Sequence, residues 1–214
     1  MTPATAVLAT VLLAGEGLPP GAEEARRSSD GFEIGFRMGA SFPAGDIAPG
    51  WKLSEARDVQ FPLWVDLGYR VGVLVIGAYG QWAPQIPVNC SESSCFVYAW
   101  KAGVEVQIHA ARRHDRVDPW ISFGVGYEWN TSQFWQNNTG TDGQETLKGW
   151  DLARFGLGVD FALSPGLKMG PFVHGTVSQF ERFDHSWGYP TTDVFIEKSL
   201  HSWITLGIKV TGLL

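Results

Sequence analysis

Residues 150–180 read WDLARFGLGVDFALSPGLKMGPFVHGTVSQF. Ala153, Phe155, Leu157, Val159 and Phe161 alternate with Arg154, Gly156, Gly158 and Asp160. Ser164, Pro165 and Gly166 then mark a turn. Beyond it Leu167, Met169, Pro171, Val173 and Val177 alternate with Lys168, Gly170, His174, Thr176 and Ser178. A period of two held over this length specifies strands, because successive side chains of a strand point to opposite faces. The stretch predicts a long hairpin with a short turn, apolar on one face and fully charged on the other.

The pattern recurs along the chain. Strands are expected at about residues 31–41, 61–71, 74–82, 96–111 and 120–129, then in the hairpin above, and at 202–213. The third is split from the second at Gly72, since a run of about twenty residues exceeds an ordinary strand. The connections alternate in length. Odd-numbered links, such as 130–149 (rich in Asn, Gln and Thr) and 181–200, hold roughly twelve to twenty residues, and even-numbered links hold roughly two to eight, with 112–119 as a short charged turn. Bacterial barrels have short periplasmic turns and longer external loops. The reading is therefore all-β: an eight-stranded antiparallel up-and-down transmembrane β-barrel with both termini on the periplasmic side. An even count closes the sheet and removes its edges.

The two faces support a barrel with its charges inside. The polar face carries Glu33, Asp66, Glu105, Glu128 and Asp160 against Arg37, Arg70, Lys101, Arg154, Lys168 and Lys209. Buried charges need partners, and a near balance of sign is what an internal paired network requires. His174 joins the same face. Tyr69, Trp82, Tyr98, Trp100, Tyr127 and Trp129 lie near strand ends, as in the aromatic girdles of membrane barrels. A soluble, lipocalin-like barrel would instead turn the apolar face inward. The Phe and Trp residues of strands five and six alone would overfill so small an interior.

Composition narrows the function. The chain has 214 residues with 26 Gly, 10 Trp and 13 Phe, and a formal net charge of -6. That charge argues against a nucleic-acid partner. Val7 to Ala14 is a short apolar run followed by Pro and small residues, which resembles a secretory signal without its positive start. Residues 1–30 are accordingly expected to be a signal peptide and disordered leader, and 31–214 the barrel domain. Cys90 and Cys95 enclose a four-residue SESS segment. An even count fits an oxidising compartment, so the pair is expected to form a disulfide.

The segments GFEIGFRMGASFP, LWVDLGYRVG, PWISFGVGYEW and HSWITLGIKVTGLL resemble the small outer-membrane β-barrel proteins, the OmpA-like and OmpX-like group. The resemblance covers about residues 31–214 and lies in the pattern rather than in a specific motif. Many members end in an aromatic residue, whereas this sequence ends in Leu213 and Leu214. The resemblance implies a location in the bacterial outer membrane, contact with outer-membrane lipid, and a structural, adhesive or small-pore role. A monomer is expected, with a surface ligand held by the external loops. The alternatives are a small channel and a barrel enzyme acting on membrane lipid.

Candidate sites are few. Gly124-Val125-Gly126 and Gly156-Leu157-Gly158 sit in strands and lack the strand-to-helix context of a dinucleotide site; their expected role is to leave room in the lumen. Asn130-Thr131-Ser132 and Asn137-Asn138-Thr139 match a glycosylation pattern shared by many unmodified loops. Asp184, His185 and Asp193 could touch a cation, with ordinary loop polarity as the simpler account. His174, Thr176 and Ser178 share a face, with Glu181 nearby, and suggest the residue types of a lipid deacylase. Their inward face favours a lumen-filling role. No catalytic set, cofactor or metal site is expected.

Overall fold

The computed structural model describes residues 30–88, 94–113, 115–135, 142–187, 192–195 and 197–214. The strands are β1 (Gly31–Ala48), β2 (Trp51–Lys52), β3 (Arg57–Gln60), β4 (Leu63–Val71), β5 (Leu74–Pro87), β6 (Ser94–His109), β7 (Val117–Trp135), β8 (Asp142–Ser164), β9 (Leu167–Trp187), β10 (Thr192–Phe195) and β11 (Leu200–Leu213). One short helix, α1 (Leu53–Ala56), lies between β2 and β3. Eight strands form the wall. β1 pairs with β4, each of β4 to β9 pairs with the next, β9 pairs with β11, and β11 returns to β1, all antiparallel. The ring has no free edge, which a sheet crossing lipid requires because its backbone groups have no water to bond.

Three tight or short connections lie at one end with both described termini. Gly72 and Gly166 adopt φ of 61° and 99° in the turns after β4 and β8. That left-handed region is open to glycine at little cost, which is why these turns close in two residues. The opposite, external end differs from the sequence expectation. Residues 130–135 and 142–149 are strand, not loop, as are 83–87 and 181–187, and β1 runs on to Ala48. β8 has 23 residues, whereas a tilted strand needs only about 9–11 to cross the hydrocarbon core. Above the membrane neither face meets lipid, so the apolar alternation fades while backbone pairing continues. The charged turn is also shorter than 112–119: β7 begins at Val117, which turns Asp118 into the lumen.

The outer face is a continuous apolar belt. Phe36 is 53% exposed, Leu157 59% and Leu206 52%, while Arg70 is 1% and Glu128 0% exposed. No soluble core has that arrangement, in which a belt of Phe, Leu, Ile and Val side chains is outside and the charges are inside. The belt carries aromatic contacts near its external edge. Trp82 packs on Trp100 at 6.5 Å, and Tyr127 meets Trp129 at 4.8 Å and Trp150 at 5.0 Å. Phe32 meets Tyr69 edge-on at 5.0 Å near the periplasmic edge. Such girdles place amphipathic rings at the headgroup level.

Candidate functional site

The lumen is filled by three groups of charged side chains. At the periplasmic end Asp118 Oδ2 accepts from Lys168 Nζ at 2.7 Å and Arg70 Nη1 at 3.2 Å, and lies 2.9 Å from His109 Nδ1. Arg70 also reaches Glu33 at 3.4 Å and donates to the carbonyls of Gly72 and Ala111, both at 2.8 Å. In the middle Arg37 bridges Asp66 at 2.7 Å and Glu105 at 2.5 Å. Gln107 donates to Glu105 and accepts from Lys209, which lies 3.3 Å from Asp160. Above these, Lys101 pairs with Glu128 and, at 3.3 Å, with Asp151. Asp151 also accepts from Arg154 at 2.8 Å and from Ser178 at 2.5 Å.

All twelve residues expected on the polar face lie inside, but their pairing departs from expectation. Arg154 and Lys168 are held by Asp151, which strict alternation placed outside, and by Asp118, which the reading assigned to the charged turn. A bulge between Asp151 and Ala153 shifts the register of β8 against β9. It leaves two residues, Leu152 and Ala153, between two inward ones, so Asp151 enters the lumen although it is in phase with the outward row. His174 is 1% exposed and sits against Trp64, ring centroids 5.2 Å apart, with Nε2 3.9 Å from Glu105.

The sequence reading placed Tyr79 on the polar face but missed the rest of the aromatic share of the lumen. Trp64, Trp120 and Phe172 form a buried cluster inside the charged network. Arg37 Cζ lies 5.6 Å from the Trp64 ring and 5.5 Å from that of Trp120, Lys209 Nζ lies 4.3 Å from Trp120, and Arg154 Cζ lies 3.9 Å from Tyr79. Cations in a desolvated site gain from facing aromatic rings. The signal was present, since Trp64, Trp120 and Phe172 are in phase with Asp66, Ser122 and His174. Glycines make space for these rings. A Cβ on Gly158 would stand 2.6 Å from Trp120, and one on Gly126 would run into Tyr79 Oη.

A different chemistry closes the external mouth. Ile47, Leu53, Leu147, Phe180 and Trp203 form a buried apolar cluster, with Ala56 and Phe183 against it. Leu53 belongs to α1, so the segment after β1 folds back over the opening. Arg57, just beyond α1, reaches the β7 side chains of Asn130 at 3.1 Å and Ser132 at 2.7 Å. This arginine lies beyond the spanning part of the wall, and burial lowers its guanidinium to about 10. His201 joins cap to network: it stacks on Phe180 at 4.1 Å and its Nε2 is 2.5 Å from Glu128. Between the charged groups a lumen cavity lined by Gly35, Gly68 and Gly77 measures about 20 Å³, room for about one water.

The deacylase-like residues do not form a relay. Ser178 donates to Asp151, Thr176 accepts from the Trp203 amide at 3.2 Å, and Glu181 lies 3.6 Å from Lys198. Asp184 pairs with Lys148, and His185 with Glu145 at 3.3 Å; the Asp193 side chain is outside the described residues. No metal-binding group of three occurs among the described residues. Cys90 and Asn137 to Thr139 also lie outside them, as do residues 1–29, so the disulfide, one of the two glycosylation patterns and the leader are expectations only.

An inverted, closed ring of eight strands with a paired-charge interior and an apolar outer belt defines an integral β-barrel of the bacterial outer membrane. The chain is similar to a major outer membrane protein from Thermus thermophilus, with a TM-score of 0.53 at 13% identity over 84% of this chain and 99% of that one. Other similar structures are OprG of Pseudomonas aeruginosa (TM-score 0.49, 11% identity, 86% and 97% covered) and Neisserial surface protein A (0.46, 12%, 84% and 96%). No protein-family model and no curated protein matches the sequence. The fold is that of an eight-stranded antiparallel outer-membrane β-barrel.

Proposed function

We propose that the protein is a non-conducting outer-membrane scaffold that presents its extended external hairpins for surface contact. The observation that carries this reading is the double closure of the lumen. Long charged side chains cross it at three levels, and the Leu53 cluster covers its mouth. An eight-stranded barrel is just wide enough for side chains to fill, so a continuous water path would require several buried ion pairs to separate together. The strands meanwhile continue past the aromatic belt on β7, β8 and β9, giving a hydrogen-bonded external wall.

Reconstitution of the folded monomer in planar bilayers tests the closure. No steady conductance is expected. A stable ion-selective current altered by Arg154→Ala would replace this reading with a small channel. Surface contact is tested on whole cells. Exchanging the tips between β7 and β8 and between β9 and β11 for short Gly-Ser turns should abolish attachment to a surface that the unaltered cells bind, with insertion unchanged.

A further inference from the structure

On the outer wall, β7, β8 and β9 change abruptly from apolar to polar. The outward series on β7 runs Val125, Tyr127, Trp129 and then Thr131. On β8 it runs Leu152, Trp150 and then Lys148, Thr146 and Gln144. Register places Trp129 opposite Lys148, Thr131 opposite Thr146, and Thr146 opposite Asp184 of β9. Together these side chains line an open cleft of about 510 Å³ that begins where the membrane belt ends.

We propose that this cleft holds the sugar headgroup of a glycolipid of the outer leaflet. Its donors and acceptors suit hydroxyl groups. The Thr131 and Thr146 hydroxyls, buried in the cleft floor, bond each other at 3.1 Å, and exposed Gln144 stands over them with Nε2 3.4 Å from Thr146 Oγ1. Asp184 Oδ2 is committed to Lys148, but its Oδ1 is shielded from solvent without a hydrogen-bond partner among the described residues. The Asp184 side chain is 16% exposed, so a small rotation brings this unpartnered oxygen to the cleft surface, where a sugar hydroxyl supplies the donor. Trp129 adds an aromatic face at the lower rim, against which the apolar face of a sugar ring packs. Because Lys148 is already neutralised by Asp184, the cleft favours a hydroxyl-rich ligand over a phosphate. Position supplies the last argument: acyl chains lying on Leu152, Trp150 and Val125 would deliver their headgroup to this rim. The site uses neither the lumen nor the hairpin tips, so its failure would leave the scaffold reading standing.

The test is native mass spectrometry of the folded protein in detergent, titrated with lipid A bearing core sugars and, separately, with phosphatidylglycerol. The sugar-bearing lipid should bind at least about tenfold more tightly. The double change Asp184→Ala with Gln144→Ala should weaken that binding about tenfold and leave phosphatidylglycerol unaffected. Folding of each variant is checked by heat-dependent gel migration, and Gln144→Ala alone, at an exposed position, serves if the double variant misfolds. Equal affinity for the two lipids overturns the proposal, as does unchanged glycolipid binding by the variants. Loss of binding in Lys148→Gln with full binding in the Asp184 and Gln144 variants would show phosphate recognition and also overturn it.

Discussion

At the periplasmic end of the lumen a single carboxylate, Asp118, collects Arg70, Lys168 and His109, whereas at the external end Ile47, Leu53, Leu147, Phe180 and Trp203 exclude charge altogether. The two closures place their stabilisation differently. In the charged end, desolvation costs are offset by pairing, so each member depends on the others. In the apolar end, stabilisation is spread over many contacts and depends on packed volume. The charged closure is built from wall residues alone, while the apolar one borrows Leu53 from a connecting segment. The first should therefore behave as part of the barrel, and the second as a cover attached to it.

Asp118→Ala gives the sharpest test of that contrast. It leaves Lys168 without its carboxylate and Arg70 with only Glu33 in a buried site, and breaking a buried pair typically costs about 3–5 kcal/mol. Urea unfolding of protein refolded in lipid should show a loss in that range; a loss below about 1 kcal/mol would mean that water already solvates this end. Arg154→Ala should cost about 3 kcal/mol, at the lower end of the same range, because Asp151 keeps Lys101 and Ser178. A loss equal to that of Asp118→Ala would show that no such sharing occurs.

Leu53→Ala should cost about 2 kcal/mol, the low end for a buried leucine, since the segment can settle into the space. The heat-dependent gel shift of the barrel should persist, and trypsin should cut the chain at Lys52 or Arg57 faster than in the unaltered protein. Loss of the folded gel species would show that the cap belongs to the barrel core. The smallest effect on the barrel wall is expected from Cys90→Ser with Cys95→Ser. A bridge closing so short a loop contributes about 2 kcal/mol by chain entropy, and that contribution is local to the β5–β6 tip. Membrane insertion should be unchanged, and failure to insert would tie the bridge to the wall.

Much of the wall was legible in the sequence. Alternation from Ala153 to Phe161 and from Ile204 to Val210 assigned faces correctly, because a side chain in a strand has only two directions. The turns at Gly72 and Gly166 were marked by residues that tolerate positive φ. The external strand extensions were not legible, because Asn130, Thr131, Ser132 and Thr146 carry no apolar contrast once lipid no longer bathes one face. Nor was the place of Asp151, since a bulge inverts the phase after it and a one-letter pattern does not record which residue is left unpaired.

The sequence by itself determined that this chain forms an inverted barrel. Period-two alternation, segregation of charge from bulky apolar groups and alternating link lengths are local properties, and lipid outside with polar groups inside is the arrangement that satisfies them together. Only the tertiary structure decided which acid meets which base, that Trp64, Trp120 and Phe172 share the lumen with them, and that Leu53 returns to cover the mouth. Those contacts join residues such as Arg37 and Glu105, or Leu53 and Trp203, which are distant in the chain. Their proximity is set by ring closure, strand register and a single bulge, none of which acts until the whole sheet has assembled.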